Sequence, residues 1–383
     1  FFKYYNFFVS SWIEAWSSVG ITMEANTLNI ILPVGISFYT FQTLSYTIDV
    51  YRKEMQPTKS FIDFAAFVTF FPQLVAGPIE RASHLLPQFY KNRTFDYQNA
   101  VDGVKLIIWG MFKKVVVADN CAFFVNKIFE NPEAYSSGEL FVGMVFFAFQ
   151  IYGDFSGYSD MAIGISKLFG FDLMVNFKFP YFSRDIAEFW RRWHISLSTW
   201  FRDYIYIPLG GSKGTQWFQI RNVMIIFLVS GFWHGANWTY VVWGLFHALM
   251  FLPLLLFNVN RSHLITKSYG WLDFAKIGVT FLVVCIGWVF FRADSIADAF
   301  QYLAHLFELK SLGLSLFYKT NANLMIFALS VLAVGILSMQ ELVWVIKKRD
   351  LPKISAFGAL LLVLLIFFMG SFKNQMDFIY FQF

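Results

Sequence analysis

The sequence predicts an all-α, polytopic integral membrane protein, and three observations carry that prediction. Of the 383 residues, 57% are hydrophobic and only 14% charged, where a soluble domain carries about 25% charged residues. A fold facing water could not hide so much apolar surface behind so little charge. The aromatic load is equally heavy, with 50 Phe, 18 Tyr and 13 Trp. Finally, several apolar runs reach the roughly 20 residues that a helix needs to cross a hydrocarbon core of about 30 Å. Neither an internal repeat, a low-complexity tract nor a soluble insertion interrupts the chain, so residues 1–383 read as one integral membrane domain.

Taken in order, residues 27–51 form the first apolar run. Residues 61–76 rise only about 24 Å as a helix and carry basic residues at both ends, Arg52, Lys53 and Lys59 before, Arg81, Lys91 and Arg93 after. A full crossing would put one basic loop outside, against the positive-inside tendency. A re-entrant or partly submerged segment fits better, and such backbone must be buried in protein or line a wet cavity. Residues 104–125 are a weaker span, interrupted by Lys113 and Lys114. Residues 139–165, 272–291, 322–346 and 354–371 are further spans, and 222–257 is too long for one. That run is either a crossing plus a half-crossing or a tight helical hairpin.

The net charge of +5 and pI near 9.0 come without any nucleic-acid-binding pattern. In a membrane protein, basic residues mark loops beside anionic lipid. Cys121 and Cys285 lie far apart in apolar runs and read as small packing residues. The sequence opens on Phe1, not Met. Part of the N-terminus is therefore expected to be missing, and no signal peptide can be judged.

Four places carry chemistry. The stretch "FWRRWHISLSTWFRDYIYIPLGGS" (189–212) places Trp190, Trp193, Leu197, Trp200, Phe201 and Tyr204 on one helical stripe. Glu188, Arg191, Arg192, Arg202 and Asp203 fall opposite, with Glu188 and Arg192 one turn apart. That is the pattern of a helix lying in the membrane interface, ended by Pro208 and Gly210. His194 sits at the rim of the stripe, with Ser198 one turn on. Alone, this stretch reads as an amphipathic anchor with one marginal histidine. In "SGFWHGANW" (230–238), His234 lies about eleven residues into an apolar run. Ionisable groups there face the protein interior or a wet pathway. Gly231 and Gly235 let a backbone or a substrate approach, and Asn237 lies three residues on. The competing account is a neutral histidine held between packed helices. His247, in another apolar run, reads as structural. In "QIYGDFSGYSDMAIG" (150–164), Asp154 and Asp160 read equally as a cavity wall or helix break and as caps at a kink.

Together these stretches, with "QLVAGPIERASHLLPQF" (73–89) and the final "MDFIYFQF", resemble the membrane-bound O-acyltransferase family. The similarity is to its bacterial branch of alginate O-acetyltransferase membrane subunits and D-alanyl transfer proteins, the alginate type more closely, over roughly residues 27–291. The resemblance implies a ring of tilted helices around a thin centre, with a cytoplasmic funnel, and transfer of an acyl group across the membrane to an outside acceptor. The family's two catalytic-site histidines match His194 and His234, His234 being the principal one. The first spans of the family are lacking, which leaves the helix count open. The funnel would be lined by Trp190 and Trp193 and by the cations Arg191, Arg192 and Arg202, which could attract an anionic donor such as acetyl-CoA or a phosphopantetheine carrier.

The chemistry to be supplied is a base for an acceptor hydroxyl and stabilisation of an oxyanion. His234 is assigned as base or acyl-handling residue, with His194 assisting and Asn237 as a candidate amide donor. Ser198, Asp154 and Asp160 are candidate substrate-side residues. An acyl thioester is the donor substrate, and no bound cofactor or metal is expected. Two histidines forty residues apart make poor metal evidence. The chain has no GxSxG nucleophile motif, and the resemblance implies a separate extracytoplasmic SGNH-hydrolase-like partner that completes transfer to a polysaccharide. The implied setting is the bacterial inner membrane. Two rival readings are D-alanyl transfer to teichoic acid and, in a different class, a transporter or channel, although matching broken halves are not visible.

Overall fold

The computed structural model describes residues 3–24, 26–28, 33, 35–261, 264, 269–372 and 378–379. Among them no strand occurs. The helices are α1 (Tyr5–Ser17), α2 (Ile36–Tyr51), α3 (Phe61–Val68), α4 (Ala82–Phe89), α5 (Tyr97–Met111), α6 (Asp119–Glu130), α7 (Ser137–Leu168), α8 (Ile186–Arg192), α9 (Ile195–Phe201), α10 (Gln216–His234) and α11 (Trp238–Leu256). They continue with α12 (Trp271–Arg292), α13 (Ile296–Glu308), α14 (Ser315–Tyr318), α15 (Asn321–Ile346) and α16 (Ala356–Met369). Four of them, α7, α11, α12 and α15, are long and apolar enough to cross a membrane.

The centre of the molecule is α7, whose 32 residues span about 48 Å at 1.5 Å per residue. Ser136 and Glu139 close its first turn in a reciprocal capping box. On one side lies α5, so close that backbones touch. A Cβ on Gly103 would stand 2.6 Å from the carbonyl oxygen of Gly164, and one on Gly157 would stand 2.7 Å from that of Gly110. Two glycine pairs, one heptad apart, thus fix the α5–α7 crossing, the small-residue packing that membrane helices rely on. The chain then runs from α5 into α6 through a π-helical turn at Phe112–Ala118, so the weak span expected over 104–125 is one continuous helix without a break.

The long run 222–257 resolves into the hairpin of α10 and α11. A Cβ on Gly231 would meet the Tyr240 carbonyl, and one on Gly244 the Phe227 carbonyl. The close approach that Gly231 permits is therefore made by the chain's own next helix. Residues 61–76 do not form a crossing: α3 has only 8 residues and irregular backbone follows it. Residues 354–371 yield the 14-residue α16. Part of the run 27–51, and most of the final "MDFIYFQF", lie outside the described residues.

The stretch 188–204 departs from the single interfacial helix expected of it. It is broken at Trp193–His194 into α8 and α9, and a π turn follows at Arg202–Tyr206. Phe189, Trp193, Leu197, Trp200 and Phe201 are buried in protein. The stripe faces a core and not lipid.

The two ends of the bundle differ in charge. Near the α7 C-terminus, Lys105, Lys167, Arg349 and Lys353 line one cavity. Near its N-terminus, Glu130, Glu133, Asp294 and Asp298 line another. Cys121 and Cys285 are free and buried.

Candidate active site

The break in the α8–α9 stretch builds the site. His194 adopts φ 45° and ψ 54°, a left-handed conformation that costs an L-residue steric energy. An extended segment holds it there. Lys178 N–H donates to the Arg192 carbonyl and Ile195 N–H to the Asn176 carbonyl, both at 2.9 Å. The Asn176 side-chain oxygen accepts from Ser196 Oγ at 2.6 Å and Ser196 N–H at 3.3 Å, and its amide donates to Ser159 Oγ on α7 at 3.1 Å. Asn176, Ser196 and Ser159 are buried. Ser196 Oγ also accepts from Ile79 N–H at 2.9 Å, which docks the 73–89 stretch against the break. Its neighbour Glu80 accepts from Met174 N–H at 2.5 Å and contacts His84 Nδ1 at 2.7 Å.

The second imidazole reaches the same place from the other direction. His234 is the last residue of α10, and Gly235 beyond it is extended. The carbonyls of Trp233 and His234 accept from Lys3 Nζ at 3.3 and 2.9 Å, and Tyr4 Oη donates to the Phe232 carbonyl at 2.9 Å. A cation thus covers the helix C-terminus, where the backbone dipole is negative. Of the two readings of the run 222–257, the hairpin holds, and it puts His234 at the end of its first helix. A helix end suits a reactive side chain because its backbone is not committed to the next turn.

The imidazole rings of His194 and His234 lie 6.3 Å apart, centroid to centroid. The His194 ring stands 4.6 Å from Phe155 and 6.0 Å from Trp233. The His234 ring stands 5.0 Å from Trp243 and 5.3 Å from Phe291. His194 is 0% exposed and His234 5%. Among the described residues, neither ring nitrogen of His194 has a hydrogen-bond partner. A buried, unpartnered polar side chain is uncommon and costs its desolvation, so it calls for a cause outside packing.

The structure distributes the remaining candidates differently from the expectation. Trp193 is buried beside Phe177 and Trp288. Trp190 turns toward Trp243 and His247, whose rings lie 5.5 and 5.0 Å away. Arg192 is bound to Glu188 at 2.5 Å and to Tyr269 Oη at 2.8 Å, and Arg202 to Asp203 at 2.7 Å. Arg191 is exposed. Arg192 and Arg202 therefore spend their charge on local partners, because the break at His194 ends the single helical face that would have aligned all three. Ser198 Oγ donates to the Trp193 carbonyl at 3.4 Å, across the break. Asn237 caps α11: its oxygen accepts from Thr239 N–H at 3.1 Å and its amide donates to the Asp294 carbonyl at 2.8 Å. Asp154 and Asp160 neither break nor cap a helix, since α7 runs straight through them. Asp160 pairs with Lys113 at 2.5 Å and Asp154 with Lys114 at 2.6 Å. No group of three or more His, Cys, Asp or Glu among the described residues could hold a metal ion.

The residue that the sequence reading missed is Asn176. A polar side chain in the otherwise apolar and aromatic run before Pro180 was its only signal.

A model of the membrane-bound O-acyltransferase family matches residues 56–293, a stretch that holds both His194 and His234. The chain is 43% identical over 323 residues to the protein named "Probable alginate O-acetylase AlgI" of Pseudomonas aeruginosa, which is 84% of this chain and 60% of that protein. It is 37% identical over 343 residues to a peptidoglycan O-acetyltransferase of Helicobacter pylori, covering 82% of this chain and 63% of that one. A teichoic acid D-alanyltransferase of Streptococcus thermophilus is 32% identical over 232 residues, 56% of this chain and 55% of that one. The chain thus spans about three fifths of the length of the first two relatives.

Proposed function

The chain belongs to the membrane-bound O-acyltransferase family, and from that premise we propose that it moves an acetyl group from a cytoplasmic thioester donor toward an extracytoplasmic polysaccharide. The meeting of the His194 and His234 rings at 6.3 Å carries the reading. Two imidazoles forty residues apart converge where two helices end.

In this reading His234 takes the proton of the acceptor hydroxyl, and the alkoxide attacks the thioester carbonyl. The tetrahedral oxyanion collapses, the carbon–sulfur bond breaks, and the departing thiolate is protonated from the imidazolium. His194 assists by orienting His234 or by stabilising the charge that develops beside it. Catalysis of this kind needs a proton carrier with a pKa near neutrality, which histidine supplies.

Acetyl is preferred to D-alanyl as cargo because the acetyl-transferring relatives are more similar over more of the chain. The setting is a bacterial inner membrane, with the basic end of the bundle toward the cytoplasm in keeping with the positive-inside tendency. Acetyl-CoA or an acyl carrier would enter from that end. A separate SGNH-hydrolase-like protein would complete transfer to the polymer.

The test is transfer of radiolabelled acetyl from acetyl-CoA by membranes holding His234→Ala, with mass spectrometry of the modified polymer. Loss of transfer at an unchanged protein level supports the assignment. Normal acetylation by the variant overturns it, and D-alanyl on the polymer reassigns the cargo.

A further inference from the structure

The cavity at the basic end of the bundle shares no lining residue with the two imidazoles. It holds about 550 Å³ between α5, α7 and the loop joining α15 to α16, within the size of small-ligand sites. Lys105 comes from α5, Lys167 from the last turn of α7, and Arg349 and Lys353 from the loop. Among the described residues none of these four cations has an ion-pair partner. Of the two carboxylates in the lining, Asp350 is engaged by Lys178 at 3.0 Å, and Asp102 accepts from Gln98 at 3.2 Å and keeps its charge.

We infer that this cavity binds a phosphate-bearing anion, with Lys105, Lys167, Arg349 and Lys353 as its ligands. Four cations drawn from three separate elements outnumber the two carboxylates of the lining, so the cavity keeps a net positive charge that favours an anion between them. Arg349 offers a planar fork that suits two phosphate oxygens, and the lysines act as point charges around it. Leu106, Leu351 and Ile354 supply an apolar wall beside the cations. The site therefore presents charge at the membrane interface and hydrocarbon at its flank, the arrangement that recognises an anionic phospholipid headgroup. A soluble phosphate monoester shares the same chemistry. Because the ligands come from α5, α7 and the α15–α16 loop, an occupant also ties those elements together.

The test uses the whole purified chain in a neutral detergent. Phosphatidylglycerol, phosphatidylcholine and inorganic phosphate are each titrated against wild type and against Arg349→Gln/Lys353→Gln, with bound lipid counted by native mass spectrometry and the thermal midpoint followed in parallel. Each cation removed is expected to cost about fivefold in affinity for the anion, so the double variant should bind phosphatidylglycerol about 25-fold more weakly. Phosphatidylglycerol retained over phosphatidylcholine by wild type, and lost by the variant, identifies a lipid headgroup site. A thermal shift with inorganic phosphate in wild type alone identifies a phosphate site filled from solution. Equal binding of every probe by both proteins overturns the inference. Both substituted residues lie in a loop beyond the helices, and the single change Arg349→Gln, expected to cost about fivefold, repeats the test if the double variant does not fold.

Discussion

Two polar regions are buried beside α7, and they solve the same problem in different ways. In one, Asp154 and Asp160 meet Lys114 and Lys113 at 2.6 and 2.5 Å, with Asp119 also on Lys114 at 2.9 Å and Tyr152 Oη donating to Glu341 at 2.7 Å. In the other, Phe155 packs on His194, whose ring nitrogens have no partner among the described residues. Polar groups are costly in an apolar interior, and both regions look functional by that measure alone. Partnering separates them. The carboxylates are matched to lysines from the adjacent π turn and hold helices together. The imidazoles are brought together at 6.3 Å, and the ring nitrogens of His194 have no partner among the described residues, which suits reaction and not cohesion.

The largest way to break this comparison is at His234. Its replacement by alanine should lower acetyl transfer by about 10²–10⁴-fold, the usual worth of general acid–base catalysis, with little change in the thermal midpoint. The matching cut in the ion-paired region should do the reverse. Lys113→Met leaves Asp160 buried without its partner, which costs roughly 3–5 kcal/mol. Lys113→Met/Asp160→Leu removes both charges and should recover most of that loss. Thermal unfolding in detergent would decide, and a single variant as stable as the double would refute the structural role.

Asn176 sharpens the comparison from within the imidazole region. Its side chain holds the break that places His194 through Ser196 and Ser159. Asn176→Ala should remove about 1–3 kcal/mol by leaving Ser196 and Ser159 unpaired in the core. It should also lower kcat more than it raises KM, because His194 loses its imposed backbone conformation. Transfer measured per folded molecule is the check. An unchanged kcat would make Asn176 a purely structural residue.

The legibility of the sequence follows the same division. Long apolar runs showed α7, α12 and α15, because period and length are local properties. The resemblance pointed to His194 and His234 as one pair, and their rings stand 6.3 Å apart. What stayed hidden was every feature set by distant partners. Lys113 and Lys114 read as interruptions of a span, since nothing in the local pattern reveals carboxylates on α7. The break at His194 was hidden because apolar residues keep a helical spacing on both sides of it, and no Gly or Pro marks the left-handed residue. The clamp by Asn176 and the cover of Lys3 over the α10 C-terminus depend on tertiary contacts between segments remote in sequence.

The smallest effect is a control on partnering itself. His84 is the imidazole that does have a carboxylate: its Nδ1 lies 2.7 Å from Glu80. The hydrogen bond to Glu80 raises the His84 pKa above its usual 6.5, although partial burial opposes the rise. A folded-state pKa above the unfolded one stabilises the protein while the group is protonated. The contribution is therefore complete below about pH 6.5 and is lost as pH climbs through the raised value. With the His84 side chain 38% exposed, solvent screening keeps the effect small. The thermal midpoint of wild type should fall slightly more than that of His84→Gln between neutral and alkaline pH. Parallel curves for the two proteins would mean that Glu80 is held by Met174 N–H alone and that His84 adds no charge to it.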